Sequence, residues 1–170
     1  MRRVVIGVAA LAAGAGLASG QLVISGELDV TDPTYNRTFE DFGGLSGVGT
    51  SVFYDVYEIG VTADGTYDFL AAWSFDGFLF LYSDFDPGAP TLNGIVGDDD
   101  LGGTSASGFS AALSAGESYF LVATSFGNGA VGEYTLTASG TAGQVFLVPA
   151  PAGAGLLAGA GLLAARRRRA

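Results

Sequence analysis

The sequence has no cysteine, no histidine and no lysine among its 170 residues. Without histidine or cysteine, the chain cannot form a Ser-His-Asp or Cys-His catalytic arrangement, and without lysine it has no Ser-Lys or Schiff-base route. Zinc, copper and haem sites that need imidazole or thiolate ligands are excluded for the same reason. No disulfide can form, so stability has to come from packing and from any bound ions.

Positive charge is also scarce, and it is segregated. Six of the seven arginines lie in the terminal segments, which leaves Arg37 as the one basic residue of the middle segment, residues 21–147. That segment carries all seventeen acidic residues, so its net charge is −16. Such a surface repels nucleic acid and anionic lipid, so neither is expected as a partner. All twenty aromatic residues lie in the same segment and predict a folded core rather than a disordered acidic chain.

The N-terminal segment has the pattern of a secretory signal peptide. Met1-Arg2-Arg3 precedes fifteen uncharged residues, Val4 to Ala18, and small residues stand just before Gln21. We expect residues 1–20 to form a signal helix that is cut after Gly20. The alternative, a permanent membrane anchor, is disfavoured because the apolar run is short and rich in glycine and alanine.

The C-terminal segment has three parts. A Val148-Pro149-Ala150-Pro151 motif precedes an uncharged run, 152–165, and the run is followed by Arg166, Arg167, Arg168 and Arg169. As a helix the run spans roughly 21 Å, short of a hydrocarbon core of about 30 Å. The arginines are expected to stay on the cytoplasmic side. The alternative is a buried helix with a basic tip, but the run has no polar face with which to dock as an amphipathic helix.

This three-part tail resembles the PEP-CTERM sorting signal of certain bacteria, with Ala150 where that motif usually has glutamate. The resemblance implies that residues 148–170 are a sorting signal with a short transmembrane helix. It implies that the export machinery and an exosortase-like processing enzyme are partners, and that anchoring in the inner membrane is transient. The expected destination is the cell surface or the extracellular space.

The middle segment is expected to be all-β, because short runs rich in valine, phenylalanine, tyrosine and threonine recur between glycine, aspartate and serine. The predicted strands are Leu22–Val30, Val52–Thr62, Thr66–Trp73, Phe78–Tyr82, Thr91–Val96, Gly108–Leu113, Ser118–Ser125 and Glu133–Ser139. Asp-Gly pairs at 64–65 and 76–77 predict hairpins, hence a three-stranded meander. In Thr66–Trp73, the side chains of Tyr67, Phe69, Ala71 and Trp73 share one face. Phe78–Tyr82 is apolar on both faces and is expected to be covered on both sides. Together these features predict a jelly-roll-like antiparallel sandwich, with residues 31–50 as a long entry loop.

The middle segment contains a series of short motifs in a fixed order. They are Tyr57-Glu-Ile-Gly-Val, Asp64-Gly-Thr-Tyr-Asp-Phe, Asp76-Gly-Phe-Leu-Phe-Leu-Tyr82, Asp98-Asp-Asp, Leu113-Ser-Ala-Gly-Glu-Ser-Tyr-Phe-Leu-Val122 and Gly132-Glu-Tyr-Thr-Leu136. With these motifs the segment resembles the bacterial pre-peptidase C-terminal (PPC) domain over about residues 54–140. The resemblance implies a jelly-roll-like accessory domain that is not catalytic and sometimes binds calcium or a polymer.

Carboxylates are the remaining chemical resource, and calcium is their best use. A hard cation takes six to eight oxygens from carboxylates and backbone carbonyls on flexible loops. We predict a calcium site if two loops converge, with Asp84, Asp86, Asp98, Asp99 and Asp100 as ligands; the alternative is that these are solvated turn acids. A carboxylate pair for glycoside hydrolysis could come from Glu117, Glu133, Asp68 or Asp76, but no spacing singles out a pair.

Aromatic rings near strand ends offer a second binding hypothesis, a platform for sugars. The candidates are Tyr35, Phe39, Phe42, Phe53, Tyr54 and Phe85. The sequence therefore favours a non-catalytic exported protein with a structural or adhesive role in an exopolysaccharide or surface layer. A calcium-dependent carbohydrate- or protein-binding module is the second hypothesis, and a small carboxylate hydrolase is the third.

Overall fold

The computed structural model describes residues 20–149, which form ten β-strands and no helix. The strands are β1 (Leu22–Leu28), β2 (Thr34–Tyr35), β3 (Val52–Val61), β4 (Gly65–Trp73), β5 (Gly77–Tyr82), β6 (Gly94–Asp98), β7 (Ala106–Leu113), β8 (Ser118–Ser125), β9 (Gly132–Gly140) and β10 (Val145–Leu147). Within these residues there is no helix long and apolar enough to cross a membrane. The predicted signal and sorting helices lie outside the described residues.

The strands form two antiparallel sheets. One sheet has four strands in the order β1-β9-β4-β7. The other has the order β10-β3-β8-β5-β6, with the short β2 also paired to β3. The prediction of an all-β antiparallel sandwich is confirmed, and the eight predicted strands are all present with ends shifted by a few residues.

The core lies between the two sheets and is built by alternation along each strand. In β4 the side chains of Tyr67, Phe69, Ala71 and Trp73 are buried while their neighbours are exposed, as the sequence predicts. They pack against residues of the other sheet such as Leu121. Burial of a large apolar side chain contributes about 1.5–3 kcal/mol. This layer is therefore the main source of stability in a chain that has no disulfides.

The predicted three-stranded meander is wrong. β3 pairs with β8 and β10, whereas β4 pairs with β7 and β9, so the chain crosses from one sheet to the other between them. Neither Asp64 nor Gly65 has the positive φ that a type I′ turn requires. Asp64 instead accepts a hydrogen bond from the backbone N–H of Ala115 in another turn (2.7 Å). The apolar face of each strand has to be covered by the opposite sheet. The Asp64-Gly65 turn is compatible with a crossing to that sheet as well as with a hairpin.

β5 is covered on both sides, as its sequence predicts. All six of its residues are buried. Leu79 and Leu81 enter the core between the sheets. Phe78, Phe80 and Tyr82 form a second core on the outer face, in which the Phe78 and Phe80 rings stack with centroids 4.3 Å apart.

The 31–50 loop covers this second core. Thr38 forms a β-bridge with Leu45, so the loop closes into a small hairpin over β5. At its tip Phe42 adopts a left-handed backbone (φ 57°) and its ring packs against Phe80 and Tyr82. The long loop expected from the sequence is therefore an ordered layer over the six-stranded sheet.

Candidate functional site

The five aspartates expected to bind calcium do not converge. Asp84 and Asp86 follow the C-terminal end of β5, whereas Asp98 pairs with Leu79 near the N-terminal end of that strand. The β5–β6 hairpin therefore holds the two acidic groups at its opposite ends. Asp86 instead caps its own turn, accepting a hydrogen bond from the N–H of Gly88 (2.8 Å).

The side chain of Asp98 links the two sheets. One of its carboxylate oxygens accepts a hydrogen bond from the backbone N–H of Gly108 (2.7 Å), which ties the end of β6 to β7 in the other sheet. This carboxylate helps to set the path of the following loop, which begins with Asp99 and Asp100.

A different set of carboxylates comes together, and we call Asp76, Asp99 and Asp100 the acidic trio. One carboxylate oxygen from each lies within 4.8 Å of the others. Asp76 precedes β5 and the other two follow β6, so the antiparallel pairing of these strands brings them together. The sequence singled out Asp76 only as a candidate for acid-base catalysis, because its proximity to the other two depends on the strand register.

Buried hydrogen bonds fix the backbone beneath the trio. The Ser107 hydroxyl donates to the backbone carbonyl of Asp99 (2.7 Å) and accepts from the indole N–H of Trp73 (2.9 Å). The carbonyl of Asp76 accepts from the N–H of Phe126 (3.0 Å). The backbones of Asp99 and Asp76 are therefore hydrogen-bonded to Ser107 and Phe126.

The trio is electrostatically unfavourable without a cation. Burial, together with the neighbouring Asp100 and Asp76, raises the pKa of Asp99 to about 6. Burial and Asp100 also raise the pKa of Asp76. One buried oxygen of Asp76 and one of Asp99 have no hydrogen-bond partner among the described residues. Buried carboxylate oxygens without partners are costly, and a bound cation would satisfy them.

Arg37, the one basic residue of the middle segment, lies beside the trio. It is only 3% exposed, and its guanidinium lies over the rings of Phe78 and Phe126, 4.5 and 4.8 Å from their centroids. Its Nε donates to the carbonyl of Phe126 and its Nη1 to that of Thr38 (both 3.0 Å). Burial lowers the pKa of Arg37, and Asp99 is the strongest of the acids that oppose this effect.

A cleft of about 450 Å³ opens between the 31–50 loop and the six-stranded sheet, and we call it the Arg37 cleft. Its walls include Arg37, Phe39, Glu40, Val48, Asp99 and Phe126. Asp99 therefore belongs both to the acidic trio and to this cleft. A pocket with apolar walls and a few convergent polar groups is the usual form of a small-molecule site.

Most of the rings expected to form a sugar platform are turned inward. Tyr35 is buried, and its ring packs edge-on against Tyr54 and Phe85, while Phe42 covers the second core. Phe53 is half-buried beside the main core. Phe39 is the exception, with 51% of its surface exposed at the Arg37 cleft.

The sequence singles out no pair among the four candidate catalytic acids, and the structure places them on separate elements. Asp68 accepts a hydrogen bond from Ser110 on an exposed face, and Glu117 lies exposed in the turn before β8. Glu133 stands directly opposite Glu27 across β1 and β9, beside an open hollow of about 640 Å³. The sequence could not reveal this pair because it depends on the register of two strands distant in the chain.

Three polar side chains elsewhere in the core, Asp55, Tyr57 and Tyr134, form hydrogen bonds with one another. The Tyr134 hydroxyl donates to the carboxylate of Asp55 and lies 2.6 Å from the hydroxyl of Tyr57. Burial raises the pKa of Asp55 and raises that of Tyr57 to about 12. These groups satisfy one another inside the sandwich.

No family model matches the sequence, and no curated protein is significantly similar to it. Any proposal of function therefore rests on the chemistry of the acidic trio, of the Arg37 cleft and of the segments that flank the sandwich. The trio offers oxygen ligands that a hard cation prefers, and the cleft is lined by groups of opposite charge and by an exposed ring.

Proposed function

We propose that the chain is an exported, non-catalytic protein of the cell surface or extracellular matrix. Its role would be structural or adhesive, within an exopolysaccharide or surface layer. The PEP-CTERM-like tail, Val148 to Ala170, would direct sorting through an exosortase-like enzyme after the export machinery has moved the chain across the membrane. The acidic surface of net charge −16 would keep the domain soluble and self-repelling there.

One observation carries this proposal: the sandwich uses the whole interval between the two predicted targeting segments. β1 begins at Leu22, two residues after the expected cleavage at Gly20. At the other end β10 stops at Leu147, and Val148 still donates its N–H to the carbonyl of Glu58 (2.9 Å). Pro149 has no N–H and cannot continue the ladder. Both segments could be removed without the loss of a strand.

Within the class of β-sandwiches, we propose that this domain is a jelly-roll-like accessory domain similar to the PPC domain. In the part of the chain described, only β2–β3 and β5–β6 are consecutive strands that pair, and every other connection crosses between the sheets. Such crossings are typical of double-sheet jelly rolls rather than meanders. An accessory role is consistent with the dispersed positions of Asp68 and Glu117.

Cell fractionation tests the proposal. The full chain is expressed in a bacterial host that has an exosortase, and a second strain carries alanine at residues 166–169. We expect the native chain in the surface or medium fraction and the variant retained in the membrane fraction. Both chains in the cytoplasm would contradict export, and identical release of both would contradict a sorting role for the arginines.

A second candidate function, calcium-dependent binding, is favoured by the acidic trio. The support is the proximity of the three carboxylates and the two buried oxygens of Asp76 and Asp99 that lack partners. Calcium would neutralise their repulsion and would draw its remaining oxygens from backbone carbonyls or water. Asp84 and Asp86 are not part of this site because the β5–β6 hairpin holds them at its other end.

Thermal unfolding in calcium and in chelator tests this candidate. A calcium concentration of about one hundred times Kd would stabilise the fold by about 2.7 kcal/mol. We expect Asp100→Asn to reduce the shift, and Asp84→Asn to leave it unchanged as the matched control. No shift for the native chain would exclude a calcium site, and a full shift in Asp100→Asn would place the site elsewhere.

A further inference from the structure

The Arg37 cleft has groups of opposite charge in its lining. They are the basic Arg37 and the acidic Asp99 and Glu40. In the described structure no carboxylate oxygen lies within hydrogen-bond distance of Arg37. The two hydrogen bonds that Arg37 donates both go to backbone carbonyls. A guanidinium carries five N–H donors, so part of its donor capacity is left for another partner.

The position of Arg37 is fixed before any ligand binds. Its side chain is 3% exposed, and its guanidinium packs over the rings of Phe78 and Phe126. The backbone of Gly49 passes so close that a Cβ there would lie 2.6 Å from Nε of Arg37. A charged group preorganised in this way loses little conformational entropy on binding, which favours affinity.

Asp99 has acceptor capacity left in the cleft. One buried oxygen of Asp99 accepts no hydrogen bond among the described residues. A small anion could pair with Arg37 but would be repelled by Asp99, Glu40 and the net charge of the domain. A hydroxyl group suits both side chains, because it can accept from Arg37 and donate to Asp99.

The rim of the cleft adds apolar surface. Phe39 and Val48 are 51% and 55% exposed, although residues of their type are usually buried. Both line the cleft. An exposed ring beside convergent hydrogen-bonding groups suits a ligand with one apolar face and a hydroxylated edge, which is the form of a pyranose ring.

We propose that the Arg37 cleft binds a neutral saccharide, with hydroxyls between Arg37 and Asp99 and the C–H face of a sugar ring on Phe39. This inference rests on the proposed role at a polysaccharide-containing surface and gives that role a defined site. The volume of about 450 Å³ falls in the range of about 300–1,000 Å³ that is usual for small-molecule sites.

The test uses the full chain in mild detergent and chelator, so that the outcome does not depend on calcium. The probes are cellotetraose, maltotetraose and mannotetraose, with glycylglycine as a zwitterionic probe. Binding is detected by saturation-transfer NMR and quantified by calorimetry. Phe39→Ala and Asp99→Asn are compared with Phe146→Ala, a similarly exposed ring (44%) on β10 at the other edge of the sheet.

We expect at least one oligosaccharide to bind the native chain. Phe39→Ala and Asp99→Asn should each weaken it about tenfold or more, while Phe146→Ala should change Kd less than twofold. Thermal melts confirm that each variant is folded. The site is overturned if none of the oligosaccharides binds, if Phe39→Ala and Phe146→Ala are equal, or if only glycylglycine binds. Failure here leaves the fractionation test of export unaffected, so the two proposals fail separately.

Discussion

Asp99→Asn should stabilise the domain at neutral pH, although it removes a partly buried charge that belongs to both the acidic trio and the Arg37 cleft. Burial and the neighbouring Asp100, Asp76 and Glu40 disfavour the ionised form of Asp99, and Arg37 only partly compensates. The pKa of Asp99 is therefore raised from 3.8 to about 6. An asparagine removes the charge, keeps the shape and can donate its amide N–H to a neighbouring carboxylate.

The sign of the pH dependence follows from this shift. The folded chain holds the proton of Asp99 more tightly than the unfolded chain does, so stability falls as pH rises from about 4 through 6. A shift of about two pKa units corresponds to about 3 kcal/mol if no screening occurs. Because Asp99 is partly exposed, solvent screening reduces the expected effect to about 1 kcal/mol.

Thermal unfolding at pH 7.5 and pH 4, both in chelator, measures the effect. Asp99→Asn should raise Tm by about 4 °C at pH 7.5 and change it little at pH 4. Glu117→Gln, an exposed acid in a distant turn, is the control and should behave like the native chain at both pH values. A variant that is less stable than the native chain at pH 7.5, or that gains equally at both pH values, would refute the electrostatic account.

Three further changes test the packing by urea unfolding, followed through the fluorescence of the single tryptophan, Trp73. Phe80→Ala should cost about 3–5 kcal/mol, because this ring is fully buried beneath the 31–50 loop. Gly77→Ala should cost about 1–3 kcal/mol, since its Cβ would lie 2.1 Å from the Trp73 ring. Tyr134→Phe should cost about 1–3 kcal/mol, because it leaves the carboxylate of Asp55 without its hydroxyl donor.

Matched controls separate these effects from general sensitivity to mutation. Phe146→Ala removes an exposed ring and should change stability by no more than about 0.5 kcal/mol. Gly47→Ala adds a Cβ that meets nothing within 4 Å. Tyr82→Phe removes a buried hydroxyl that has no partner in the described structure, so it should be neutral or stabilising. A test variant that behaves like its control would show that the assigned contact is unimportant.

Strand positions could be predicted because they depend on local pattern. The alternation in β4 and the continuous apolar run of β5 each determine which faces are buried, and both predictions are confirmed. The pairing of strands could not be predicted in the same way. The Asp64-Gly65 turn is compatible with a hairpin and with a crossing, and the choice depends on which sheet buries β4.

The candidate site was harder to predict for the same reason. Asp99 and Asp100 were identified as acids in a loop, but their neighbour Asp76 is more than twenty residues away and meets them only through the β5–β6 register. The same register separates them from Asp84. The sequence identifies Arg37 only as an isolated charge, because its position over the rings of Phe78 and Phe126 depends on how the 31–50 loop folds over the sheet.

The most direct test of the central claim, export with removal of both flanking segments, is the intact mass of the chain recovered from the cell surface or medium. The account predicts a chain that begins at Gln21 and ends within or just after the Val148–Pro151 motif, with all ten strands retained. A mass that corresponds to Met1 through Ala170, found in the cytoplasmic fraction, would contradict it.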